Sequence, residues 1–199
     1  SPSGQRFLFQ EADTLNTPKI WDPSMVASLS LANPDRVVYL YEPPVESLAE
    51  VFVGWMNESL LLAYTETETG RQGLKLININ GGSPIMLFEG RFSQVAYDPL
   101  AGRIAILVDP GSAQANQMSP GLYLSVNNAS SFQAVSIGEF DRLDFSFGNG
   151  YFSAANEFGV NLFGPTEAYL ALEGESAAIF SPDGNWLAAW NGQEASLYS

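Results

Sequence analysis

Five segments of this chain share one pattern, a turn of small and polar residues followed at once by an apolar run. The runs begin at Arg6, Leu60, Arg103, Tyr151 and Trp186. They recur at intervals of roughly 35 to 55 residues, the length of a unit built from a few short strands. A chain with this repeat is predicted to fold as a series of similar small sheets, with the variation in spacing taken up by loops.

The turn is clearest in the fifth segment, Phe180-Ser-Pro-Asp-Gly-Asn-Trp-Leu-Ala-Ala-Trp. Pro182 fixes φ for a turn, Asp183 can hydrogen-bond to the local backbone, and Gly184 can adopt the positive φ that tight turns require. Apolar residues flank the turn on both sides. The segment is therefore predicted to form a tight β-hairpin.

A second repeat follows the first, because the units close with a short apolar run that ends in Glu. These closing strands are predicted at Val37–Glu42, Ile85–Glu89, Ala134–Glu139 and Ala168–Glu173. A further strand is predicted between each hairpin and closing strand, at Val26–Leu31, Leu74–Ile79, Leu122–Val126, Val160–Phe163 and Ser196–Tyr198. The pattern amounts to four antiparallel strands in each unit.

Helical periodicity is weak throughout the chain. The stretch from Pro44 to Trp55 has room for one helical turn, but the run from Val51 favours a strand. Long loops are predicted at Ala12–Ser24 and Asp109–Pro120. The second is rich in Ser, Gln, Asn and Gly, so it is expected to be exposed and mobile.

The fifth segment resembles the Phe-Ser-Pro-Asp-Gly-Lys-x-Leu-Ala-Phe signature of the TolB-like and WD40-like (PD40) propeller repeat. The run Ile79-Asn-Gly-Gly-Ser-Pro is similar to the turn before the closing strand of those repeats, and degenerate copies cover almost the whole chain. The resemblance implies an all-β fold, a β-propeller or propeller fragment of about five four-stranded antiparallel blades. The motif is a structural turn, so it implies little about function.

The predicted organisation is one propeller domain over residues 1–199. Its approximate blades are 1–48, 49–90, 91–139, 140–174 and 175–199, with the first and last incomplete. Rings of the family have more blades than this. Either the two ends complete each other, or the chain is part of a larger propeller, and the second alternative is favoured because open blade edges promote aggregation.

The net charge of −14 limits the classes of partner. Eight Lys and Arg scattered through 199 residues cannot form the basic stripe that nucleic acid requires, and they disfavour binding to an anionic membrane surface. No apolar run is long enough to cross a membrane. The acidic charge acts either as a general solubilising surface or as a complement to a basic partner protein.

The chain contains no Cys and no His, which removes thiol chemistry, Ser-His-Asp triads and the usual zinc sites. Asp183 alone supplies too few ligands for calcium, and the Gly pairs at 81–82 and 148–150 lack the Lys and helix of a phosphate loop. Asp141, Asp144 and the closing Glu residues could pair as glycosidase carboxylates, but nothing fixes their separation. No catalytic residue, metal or cofactor is predicted.

The function predicted from these features is a non-catalytic scaffold that binds another protein through its loops. The candidate contact residues are one loop tryptophan and the charged residues of the connections between blades: Trp21, Glu42, Glu89, Arg91, Glu139, Asp141, Arg142 and Glu173. The other tryptophans, Trp55, Trp186 and Trp190, are expected to pack between blades.

Two alternatives stay open at this level. The chain is an accessory propeller of a larger hydrolase or peptidase of the prolyl-oligopeptidase type, with further blades or domains in the same polypeptide. Or it binds or cleaves carbohydrate. The TolB-like resemblance implies a bacterial extracytoplasmic location, although a cytoplasmic propeller would have the same sequence features.

Overall fold

The computed structural model describes residues 6–10, 26–30, 33–41, 50–78, 80–126, 131–146, 148–165 and 169–199. The chain divides into two compact units, Ser1–Glu89 and Gly90–Ser199. In each unit the described elements are almost all β-strands.

The first two sheets hold seven strands. The first sheet consists of β1 (Arg6–Gln10), β2 (Val26–Ser30) and β3 (Asn33–Tyr41). The second consists of β4 (Glu50–Trp55), β5 (Leu60–Thr67), β6 (Gly70–Asn78) and β7 (Ile85–Phe92).

The remaining sheets belong to the second unit. The third consists of β8 (Gln94–Asp98), β9 (Arg103–Val108), β10 (Gly121–Val126) and β11 (Ser131–Ile137). The fourth consists of β12 (Arg142–Phe145), β13 (Phe152–Asn156), β14 (Gly159–Phe163) and β15 (Tyr169–Glu173), and the fifth of β16 (Ala177–Phe180), β17 (Leu187–Trp190) and β18 (Ala195–Tyr198).

Each sheet follows the order of the chain, and the paired strands whose register is defined run antiparallel. The predicted fold class is thereby confirmed. The second, third and fourth sheets have four strands, and the first and fifth have three among the described residues. The run from Val51 lies in β4, a strand as predicted.

The prediction of a loop over Asp109–Pro120 is wrong for the first half of that segment, which forms the helix α1 (Pro110–Asn116). Asp109 caps this helix, because its side chain accepts a hydrogen bond from the Ser112 N–H at 2.6 Å. Pro110 suits the first helical turn, where its missing N–H is not needed. Ala113 is buried, so the helix packs against the protein although its composition is that of a loop.

The second unit has a core between each pair of adjacent sheets. Leu107, Leu122, Phe152 and Phe163 pack between the third and fourth sheets. A smaller cluster around Val160, Leu172 and Leu187 lies between the fourth and fifth. Burying each of these large side chains contributes about 1.5–3 kcal/mol, so face-to-face stacking is what holds the sheets of this unit together.

Hydrogen bonds between successive hairpins add to this stacking at one end of the sheets. The buried carboxylate of Asp98, at the end of β8, accepts a hydrogen bond from the Gly150 N–H at 2.9 Å. Arg103 donates to the carbonyls of Gly150 and Gly164. Asn149 donates to the Gly184 carbonyl at 3.1 Å. The hairpins of the third, fourth and fifth sheets are thus joined here, and the connections between sheets lie at the opposite end.

Candidate functional site

The strand register collects the connecting segments of the fourth sheet at one end. Arg142 pairs with Ala155, Asn156 pairs with Gly159, and Gly159 pairs with Glu173. The segments 139–142, 156–159 and 173–176 therefore lie together, and we call this surface the loop end of the fourth sheet.

The first of these segments is fixed by hydrogen bonds to its backbone. The side chain of Gln94 donates to the Asp141 carbonyl at 2.6 Å and accepts from the Leu143 N–H at 2.9 Å. The side chain of Asn156 donates to the Glu139 carbonyl at 3.2 Å. These bonds hold the backbone and leave the side chains of Glu139 and Asp141 exposed.

A tight turn between β13 and β14 presents an apolar side chain to solvent. The Asn156 carboxamide accepts from the N–H groups of Phe158 at 3.0 Å and Gly159 at 3.2 Å. Gly159 is required here, because a Cβ would lie 2.5 Å from the Leu172 carbonyl oxygen. The turn leaves Phe158 with 76% of its surface exposed, the largest fraction among the exposed large hydrophobic residues of the described chain.

The carbonyl of Phe158 accepts a hydrogen bond from the Gly174 N–H at 3.3 Å. This bond joins the turn to the connection between the fourth and fifth sheets. Glu157 and Glu173 are both exposed beside it. Phe158 is therefore an exposed aromatic residue with one exposed carboxylate next to it in its own turn and another on the adjoining connection.

One basic residue faces this acidic surface. The guanidinium carbon of Arg142 lies 5.8 Å from the centre of the Trp190 ring, a cation–π distance. Arg142 is exposed and Trp190 is half-buried. The contact connects the loop end of the fourth sheet to the fifth sheet.

Glu175 is the unusual residue of the loop end. Its side chain is only 9% exposed, and its Oε2 atom is buried with no hydrogen-bond partner in the described part of the chain. Most buried polar atoms in proteins are paired, so such an atom needs an explanation.

The predicted contact residues fall into three groups. Glu139, Asp141, Arg142 and Glu173 come together at the loop end. Glu89 and Arg91 lie in β7, where Glu89 is exposed. Arg91 is half-buried, and its backbone N–H and carbonyl are both bonded to the Asn116 side chain at 2.7 Å. Trp21 and Glu42 lie outside the described residues.

The predictions for the tryptophans hold in part. Trp55 is 8% exposed, so it is buried as expected, and it packs with Leu61 and Ile77 of its own sheet. Trp186 is 46% exposed, so its predicted packing between blades is wrong. The reason is strand alternation: Leu187 faces the core, and the residue before it faces solvent.

Comparison with known proteins places the fold. No family model matches the chain, and no curated protein matches it. Similar solved structures include a protein assigned as a TolB from Agrobacterium tumefaciens, with a TM-score of 0.57 and 14% identity over 100% of this chain and 73% of that one. TolB from Acinetobacter baumannii matches with a TM-score of 0.53 and 8% identity, over 88% of this chain and 46% of that one.

A structure from a study of two prolyl endopeptidases matches with a TM-score of 0.61 and 12% identity, over 100% of this chain and 34% of that one. The fold is a TolB-like β-propeller. At these identities the likeness shows the fold alone, and the chain spans less than half the length of two of these three structures. The sheets are propeller blades, and the loop end contains the connections that lead from one blade to the next.

The structure places some of the candidate ligating, carboxylate and apolar groups in the described part of the chain. No group of three or more His, Cys, Asp or Glu side chains there is arranged to hold a metal ion. Asp144, one of the candidate glycosidase carboxylates, accepts a hydrogen bond from the Phe180 N–H at 3.4 Å and so joins two blades. No helix among the described residues has the length and hydropathy needed to cross a membrane.

Phe158 and Glu175 were not among the functional residues predicted from the sequence. A signal for Phe158 exists in the turn Asn156-Glu-Phe-Gly159, which places an apolar residue at a hairpin tip. A signal for Glu175 appears only when the units are aligned strand by strand, since nothing in its immediate sequence indicates burial.

Proposed function

We propose that this propeller is a non-catalytic scaffold that binds another protein through the loop end of its fourth sheet. The observation that carries the proposal is Phe158, 76% exposed at the tip of a tight turn. Exposed aromatic residues held in a defined position are typical anchors of protein interfaces.

The rigidity of the loop end favours binding. Asn156 holds the turn with two hydrogen bonds, and Gly174 binds the Phe158 carbonyl. A turn whose backbone is already fixed loses little conformational freedom when a partner covers it. Phe158 therefore retains more of its burial energy than the same residue on a flexible loop.

The charge of the loop end favours a partner with a basic surface. Glu139, Asp141, Glu157 and Glu173 are all exposed there, and Arg142 is the basic residue among them. Charge complementarity of this kind speeds association and excludes acidic partners. Binding is expected to weaken as salt is added, because exposed charges are screened.

The test is affinity capture from the source cells with three forms of the full chain: wild type, Phe158→Ala and Leu197→Ala. Leu197 is 66% exposed on β18, so its variant removes a similar exposed apolar group elsewhere in the same unit. A partner that binds the loop end is retained by wild type and Leu197→Ala and lost with Phe158→Ala. If all three forms retain the same proteins, or none retains any, the proposal is wrong.

The likeness to 34% of a prolyl endopeptidase supports a second candidate, an accessory propeller within a larger enzyme. The intact mass of the native protein decides between the two. A mass near 21.5 kDa favours a stand-alone scaffold, whereas a much larger mass favours an accessory domain whose chemistry lies elsewhere in the polypeptide.

The likeness to two TolB proteins also supports an extracytoplasmic location for the chain. Fractionation of the source cells, with detection by antibody, tests this part of the proposal. Recovery in the cytoplasmic fraction alone would contradict it.

A further inference from the structure

Three blades of the second unit begin with the same backbone contact. The N–H groups of Ser93, Asp141 and Ser176 donate to the carbonyls of Leu107, Ala155 and Trp190 at 2.8, 2.8 and 2.9 Å. The residues that precede these donors therefore occupy equivalent positions, and they are Phe92, Phe140 and Glu175.

The two phenylalanines show what this position does for the fold. Phe92 is 1% exposed, and Phe140 packs against the core between the third and fourth sheets. An apolar side chain therefore satisfies the position. A buried carboxylate with an unpaired oxygen is unfavourable there, because its lost hydration is not replaced.

Glu50 shows how the same chain accommodates a buried carboxylate elsewhere. Its side chain is 4% exposed, and its Oε1 atom forms an ion pair with Lys75 within the second sheet, although its Oε2 atom, like that of Glu175, has no hydrogen-bond partner in the described part of the chain. Glu175 has no such cation among the described residues: neither of the ion pairs formed there includes it.

The position of Glu175 suggests where its cation comes from. It follows Gly174, whose N–H binds the carbonyl of the exposed Phe158. Glu175 is therefore connected to the exposed Phe158 through one residue and one backbone hydrogen bond, and Glu173 and Glu157 are their neighbours in the chain. The exposed carboxylates of Glu173 and Glu157 attract a cation to this part of the surface.

We infer that Glu175 receives a lysine or arginine side chain of the bound partner, while an adjacent apolar side chain of the partner packs on Phe158. The inference rests on the proposed function and names the chemistry of the segment that this surface accepts. Pairing gives the carboxylate the neighbouring positive charge that it lacks in the free protein, as Lys75 does for Glu50.

The test uses fluorescent peptides of about twelve residues and the full chain, with affinity measured by anisotropy. The probe repeats Gly-Lys-Leu; one control replaces Lys by Glu, and the other replaces Leu by Ser. The probe is expected to bind, and both controls to bind at least tenfold more weakly. Equal binding of all three peptides would contradict the inference.

Variants of the chain locate the contact. Glu175→Gln is expected to weaken probe binding at least tenfold. Glu194→Gln removes the same charge from an exposed residue in the turn between β17 and β18 and is expected to change probe binding less than about twofold. If both variants weaken binding equally, the probe responds to net charge and the inference is wrong.

Glu175→Phe provides a readout that a purely structural role would not give. It installs the residue found at the two equivalent positions, so it is expected to raise the melting temperature while abolishing probe binding. A fall in melting temperature would mean that Glu175 stabilises the free fold, and would overturn the inference.

The inference and the proposed function fail in different ways. If a captured protein depends on Phe158 but binds the Glu175→Gln variant as tightly as wild type, only the inference falls. If no captured protein depends on Phe158 and no peptide binds, both fall.

Discussion

The carboxylate of Asp98 accepts a hydrogen bond from the Gly150 N–H at 2.9 Å, and this contact joins the third sheet to the fourth. Asp98 is fully buried, and its other oxygen accepts from the N–H groups of Leu100 at 3.0 Å and Ala101 at 3.2 Å. One side chain therefore shapes its own hairpin and fixes the hairpin of the next blade.

Replacing Asp98 by Ala is expected to lower the free energy of unfolding by about 3 kcal/mol, because buried N–H groups lose a charged acceptor. Urea unfolding followed by fluorescence measures the loss. The control is Asp183→Ala, which removes an exposed turn carboxylate and is expected to destabilise the protein much less than Asp98→Ala. Equal losses would mean that the contact between blades contributes nothing.

Alanine substitutions at Gly150 and Gly102 separate the effect of backbone strain from the effect of packing. Gly150 and Gly102 occupy equivalent turn positions with φ of 69° and 65°. A Cβ on Gly150 would lie 3.2 Å from the Ala101 Cβ and the Arg103 Cδ, whereas nothing lies within 4 Å of one on Gly102. Gly102→Ala is expected to lower stability by about 1 kcal/mol through strain alone.

Gly150→Ala is expected to lower the free energy of unfolding by about 1 kcal/mol more than Gly102→Ala does, because the neighbouring hairpin must move to admit the methyl group. Thermal and urea unfolding of the two variants, compared with wild type, measure the difference. Identical losses would show that the two hairpins are not in contact in solution.

The buried pair of Glu50 and Lys75 is expected to behave as a unit. Glu50→Leu alone leaves the Lys75 ammonium, only 12% exposed, without its partner, and should destabilise the protein by about 3 kcal/mol. The double replacement Glu50→Leu with Lys75→Leu should recover most of this loss. A double-mutant cycle by urea unfolding tests the coupling, and additive losses would contradict it.

Asp183 gives the turn of the fifth segment a pH dependence. Hydrogen bonds from the Ser181 hydroxyl and from Asn185 hold the pKa of its carboxyl below the ordinary value of 3.8. The unfolded chain therefore binds this proton more readily than the folded one.

The sign of this pH dependence follows from the lowered pKa. The contribution of Asp183 to stability is fully present above pH 3.8 and is lost as the pH falls through the lower folded-state value. Asp183→Asn should flatten the acid side of the stability curve below pH 3.8. Melting temperatures of both forms across that range measure it, and parallel curves would contradict the assignment.

Local sequence was sufficient to predict the strands and turns of this propeller. Phe180-Ser-Pro-Asp-Gly carries its own turn chemistry: Gly184 adopts φ of 69°, and Asp183 accepts from the Asn185 N–H.

The four charged residues of the blade connections came together because strand order alone brings successive connections of an antiparallel sheet to the same end. The helix α1 was not predicted because Gly, Ser and Asn are poor helix formers, and a cap at Asp109 with burial of Ala113 outweighs them.

The sequence by itself determined the number of repeats, the type of turn that opens each hairpin and the fold class. These features depend on residues close together in the chain, through turn geometry and side-chain alternation. Only the tertiary structure decided that the carboxylic acids Asp98 and Glu175 are buried. Burial depends on the face that a neighbouring blade covers, and residues far apart in the chain build that face.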